Sequence, residues 1–139
     1  MQLLQLICVC LLIALTCANA QLAVAVSPVK VTGQKAIVPL AMQNGFSEKI
    51  ESARAVCFLM DEQGKTVGPP TTRWVIGGSN TNGLAAGATN VFHFVVTSDK
   101  PFTTTNLTAK VSFSRVVLEG GRLVEPTKNV QIQEPPKTK

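Results

Sequence analysis

Cys57 and His93 are the only thiol and the only imidazole after the first twenty residues, so a thiolate nucleophile activated by a histidine base would have to use that pair. The local alternation separates them. Cys57 shares a side with Ala53, Ala55 and Leu59, whereas His93 points away from the side that holds Phe92, Phe94 and Val96. If those apolar sides form the core, Cys57 is buried, as free cysteines commonly are, and His93 faces solvent out of its reach. Metal chemistry fares no better: one His, one Cys and the separated Met42 and Met60 show none of the pairwise spacings by which ligands converge. Asp61 and Glu62 are adjacent, so as acid and base they would point to opposite sides of a turn. Gly83 to Gly87 is not a phosphate loop, because no helical pattern follows it. No catalytic residue, metal or cofactor is expected, and the chain reads as a non-enzyme.

Two further residues could carry function of another kind. Trp74, the single tryptophan, follows Pro69-Pro70 and precedes a soft stretch from Gly77 to Asn82. Exposed, it could stack on a sugar, line the mouth of a small-ligand pocket or anchor a protein partner; packing into the core is the commoner fate and the one expected here. Asn106-Leu107-Thr108 is a glycosylation sequon, with Asn106 toward solvent if Leu107 faces inward, and it acquires meaning only in a eukaryotic host.

The elements that position these residues lie after a leader. From Leu3 to Thr16 the 139-residue chain is almost wholly apolar and closes on Ala18-Asn19-Ala20, the small-x-small pattern of a cleaved signal peptide. Residues 1–20 are therefore expected to be removed, leaving a secreted or periplasmic chain with no transmembrane anchor. Cys8, Cys10 and Cys17 go with the leader, so Cys57 has no partner for an internal disulfide. All charge lies beyond the leader, 13 Lys and Arg against 8 Asp and Glu, for a net +5. The basic residues are scattered from Lys30 to Lys139 rather than clustered into a nucleic-acid arm, so no nucleic-acid partner is expected. Summed charge leaves room for acidic polysaccharide or an anionic surface.

Residues 21–133 read as one domain and 134–139 as a polar tail. Runs of period-two alternation recur between Gly, Asn, Pro and Asp, the mark of antiparallel strands joined by turns. Ile50 to Met60 is the clearest strand, and Asp61 to Lys65 should fold it back into a hairpin. Pro39 predicts an edge strand or a bulge, Asn44-Gly45 a turn, Arg115-Val116-Val117 a bulge, and Glu119 to Arg122 a tight turn. Leu123-Val124 and Asn129 to Gln133 supply the last strand or strands. About seven to nine short strands predict an immunoglobulin-like antiparallel β-sandwich, a closed barrel being the alternative.

Two segments carry a resemblance. Ala55-Val-Cys-Phe-Leu-Met-Asp-Glu-Gln-Gly-Lys65 runs an apolar strand into an acidic, glycine-bearing turn, and Leu84-Ala-Ala-Gly87 opens a strand with Phe92 and Phe94. Together they resemble the bacterial immunoglobulin-like domains of the FxLYD type, although Leu59-Met60 stands where that family carries an aromatic. The resemblance implies an extracytoplasmic accessory or interaction module without a catalytic site. The expected function is thus binding of a protein or cell-surface component, and the alternative is a carrier of a carbohydrate or metal with a pocket near Trp74.

Overall fold

A computed structural model describes residues 21–78 and 82–135. The expected leader, the last four residues of the tail and part of the Gly77 to Asn82 stretch lie outside the described residues. Nine strands follow in order: β1 (Leu22–Val26), β2 (Lys30–Thr32), β3 (Lys35–Asn44), β4 (Ile50–Met60), β5 (Thr71–Ile76), β6 (Thr89–Thr97), β7 (Thr108–Leu118), β8 (Arg122–Val124) and β9 (Val130–Gln133). They form two sheets, an all-β sandwich rather than a barrel. In the first sheet β6 lies along one side of β3, β1 and β2 along the other, and β9 beyond β1. The second runs β5-β4-β7-β8. Pairing is antiparallel except between β9 and β1.

Period-two sequence becomes burial directly. Val24, Val38, Leu40, Met42 and Phe94 from the first sheet meet Ala53, Ala55, Cys57, Val111 and Val116 from the second across one apolar core. At about 25 cal/mol per Å2 of apolar area removed from water, each large side chain in that layer contributes about 1.5–3 kcal/mol. The Asp61 turn forms as expected: its Oδ1 accepts from the Gln63 and Lys65 amides, and the Val67 amide donates back to the Leu59 carbonyl.

Pro39 departs from expectation in an instructive way. Its strand is not an edge: β3 is flanked on both sides, with Pro39 opposite His93 of β6. Its carbonyl accepts from the Ser27 amide at 3.0 Å, so its missing donor faces the point where β1 has ended and β2 has not begun. The break at Ser27-Pro28 absorbs the lost ladder bond. The chain's end also differs from the all-strand reading. Glu119–Gly121 closes the expected tight turn as a single 3-10 turn, and the departure is Pro126–Asn129, a one-turn helix, α1, which carries the chain from β8 in one sheet to β9 in the other.

Gly45 is required by close approach. Its amide donates to the Gln21 carbonyl at 3.0 Å, and a Cβ there would lie 2.5 Å from that oxygen. Gly45→Ala is expected to lower stability by roughly 1–2 kcal/mol, measured from the urea midpoint at unchanged slope.

Candidate functional site

The outer face of the second sheet gathers the side chains that could meet a partner. β4 turns Arg54, Val56, Phe58 and Met60 away from the core. Cross-strand register places Trp74 of β5 beside Arg54, Thr72 and Ser112 on either side of Val56, and Lys110 of β7 beside Phe58. Trp74 is 44% exposed and Phe58 37%, the two largest rings on the described surface.

The exposure of Trp74 overturns its expected place in the core, and the cause is a bulge. Strict alternation puts Thr72, Trp74 and Ile76 on one side, and Ile76 is fully buried. The register between β4 and β5 shifts at Ala53 and Arg54, leaving Val75 as an extra residue that also points inward. The phase thereby reverses, and Trp74 turns outward. A second shift, between β4 and β7 after Arg54, inserts Ser114 beside it. Arg54 therefore sits between two bulges. Its guanidinium carbon lies 5.4 Å from the Trp74 ring centre, and its Nε donates to the Ser114 hydroxyl at 2.9 Å. Cation–π stacking and the hydroxyl hold the arginine flat across the sheet.

The face is basic. Arg54 and Arg115 are register partners and Lys110 lies two rows away, whereas Arg73, the register partner of core-facing Ala55, is exposed from the other side of the edge strand. Among the described residues none of these four has a carboxylate in ion-pair reach. The acids near the two ends of β4 are engaged elsewhere: Glu51 Oε1 accepts from the Gly120 amide, and Asp61 caps its own turn.

The remaining expected residues fall as follows. Cys57 is 1% exposed in the core, and burial pushes its thiol up to about 11. His93 is exposed on the outer face of the first sheet, so that sheet lies between the two and the structure does not bring them together. Asn106 is exposed just before β7, beside the buried Leu107. A shallow hollow lies on the first sheet's outer face, lined in part by Ala23, Ala25, Ala41 and Gln131, on the side away from Trp74.

Asn44 is the structural residue that the sequence concealed. Fully buried, it donates from Nδ2 to the Glu48 and Leu84 carbonyls, both at 2.9 Å, and accepts at Oδ1 from the Phe46 amide at 2.8 Å. Its carbonyl accepts from the Gly87 amide, while Leu84 and Ile50 exchange both backbone bonds. Leu84-Ala-Ala-Gly87 is thus a lock on Asn44 and β4 that sets where β6 begins.

No family model and no curated protein matches the sequence. Solved structures share its fold. An ApaA protein from Bordetella pertussis superposes with a TM-score of 0.52 at 16% identity, over 76% of this chain and 86% of its own. IrmA from Escherichia coli gives 0.53 at 14% identity, over 82% of this chain and 92% of its own. What is shared is the fold. At such identities the side chains on the sheet faces are free to differ, so the likeness assigns no ligand.

Proposed function

We propose that this protein is an exported, non-catalytic binding module that engages a cell-surface component through the outer face of the second sheet. The carrying observation is Trp74, a large ring turned outward by a bulge and held under Arg54. Leaving such a ring in water forgoes burial that strict alternation would have provided, and Trp and Arg are the residue types that most often anchor an interface. The leader and the resemblance to FxLYD-type domains point to the same extracytoplasmic setting.

Trp74→Ala is expected to weaken binding of the purified protein to surface preparations of the producing cell by tenfold or more, in a sedimentation assay. The same change should lower the unfolding free energy by only about 1–2 kcal/mol, the half-covered ring and its contact with Arg54 being lost while the core is untouched, so the variant remains folded. Undiminished binding would sink this assignment of the surface.

A further inference from the structure

Resting on that reading, we infer that the second sheet's outer face binds a linear acidic polysaccharide, one carrying carboxylates along an extended chain. Arg54 and Arg115 lie directly opposite each other in the register, an arrangement of like charges that destabilises a sheet unless an anion joins them. No protein carboxylate is in reach among the described residues, whereas a uronate carboxylate would accept from a guanidinium in bidentate geometry. Lys110 supplies a second cationic position farther along the same face.

The aromatic spacing fits a chain rather than a single sugar. Trp74 stands at the row of Arg54, and Phe58 lies four residues farther along β4 and one strand over. At ~3.3 Å per residue and ~4.8 Å per strand the two residue positions are about 14 Å apart, the span of several linked sugar rings. Between them runs a row of Thr72, Val56 and Ser112, whose two hydroxyls can exchange hydrogen bonds with sugar hydroxyls. Such flanking hydroxyls and separated rings favour a hydroxyl-rich chain over a bilayer, which would call for a continuous apolar stripe.

Affinity electrophoresis in gels containing polygalacturonate tests the inference. The parent protein should be retarded, and titration with oligogalacturonate should shift the emission of Trp74, which has no competing fluorophore of its kind. Arg54→Gln and Trp74→Ala should each raise the dissociation constant about tenfold. Lys30→Gln, which removes the same unit of charge from the other sheet, should leave it unchanged. Equal loss in Lys30→Gln would reduce the effect to net charge and overturn the inference. So would equal retardation by neutral dextran, or binding to phosphatidylglycerol vesicles or oligothymidylate with none to polygalacturonate. If polygalacturonate fails while Trp74→Ala still abolishes binding to surface preparations, the polysaccharide falls and the broader binding role stands, with a protein partner as its ligand. If both fail, the face is not the binding surface.

Discussion

Replacement of Asn44 by leucine is expected to destabilise the domain by about 3–5 kcal/mol, a large share of the 5–15 kcal/mol that holds an ordinary domain together. The side chain itself is close in size, so packing is not the main loss. What is lost is three hydrogen bonds at once: the buried Phe46 amide and the part-buried Glu48 carbonyl lose their partner, and the Leu84 carbonyl keeps only the Ile50 amide. An orphaned buried backbone group costs about 1–3 kcal/mol, more than the bond contributes when made. The urea midpoint should fall steeply, and hydrogen exchange should show the Leu84 to Gly87 lock opening first. Asn44→Asp separates the causes. Its Oδ1 can still accept from Phe46, but an ionised carboxylate would face two carbonyl oxygens, which raises its folded pKa above the unfolded ~3.9. A raised carboxyl stabilises below the unfolded pKa and loses that contribution as pH rises through the folded value. Asn44→Asp should therefore lie nearer the parent at pH 4 than at pH 7, whereas the deficit of Asn44→Leu should be nearly the same at both.

The sequence exposed the strands because one-faced burial writes itself as alternation, and it hid whatever depends on a register shift. From Ala53 to Leu59 every second residue is small or apolar, and the structure buries each of them. His93 between two phenylalanines was legible for the same reason. Trp74 was not, because the bulge at Val75 reverses the phase of β5 and nothing in Thr71 to Ile76 marks the extra residue. Pro39 misleads in the opposite sense: proline signals an edge only if its strand is paired along its full length, and here the neighbour is broken at that point. Asn44 followed by glycine reads as a turn, and its side-chain bonds to Phe46 and Glu48 are that turn, but its side-chain bond to the Leu84 carbonyl spans 40 residues to a segment whose proximity exists only in the fold. The proposed binding face illustrates the same limit. Arg54, Trp74, Lys110 and Arg115 are scattered over 62 positions of sequence, and pairing β4 with both β5 and β7 is what makes them one surface.

Cys57 gives the second large effect, and its sign follows from which state holds the proton. In the unfolded chain the thiol titrates near 9.0, whereas burial in the folded domain pushes it up to about 11. Below pH 9 both states carry the proton, and the group contributes no pH dependence. Between pH 9 and 11 the unfolded state has released its proton and the folded state has not, so stability falls as pH rises, by up to about 1.4 kcal/mol per pH unit. The summed loss at pH 11 is on the order of 2 kcal/mol. Charges shared with a Cys57→Ala variant cancel in the difference between the two unfolding curves, and the chain has no Tyr to titrate in that window. The variant should be roughly 1 kcal/mol less stable at pH 7, from the sulfur-sized void, and should converge on the parent or overtake it as the pH approaches 11. Thiol labelling supplies the independent measure: a nucleophilic cysteine would react at once at pH 8, whereas a thiol raised to about 11 and closed off by Ala55, Leu59 and Val111 should react only as fast as the sandwich opens. Labelling that tracks urea-induced opening would leave the outer faces as the domain's working surfaces, because it would show that the one reactive atom in its core is never presented to a substrate.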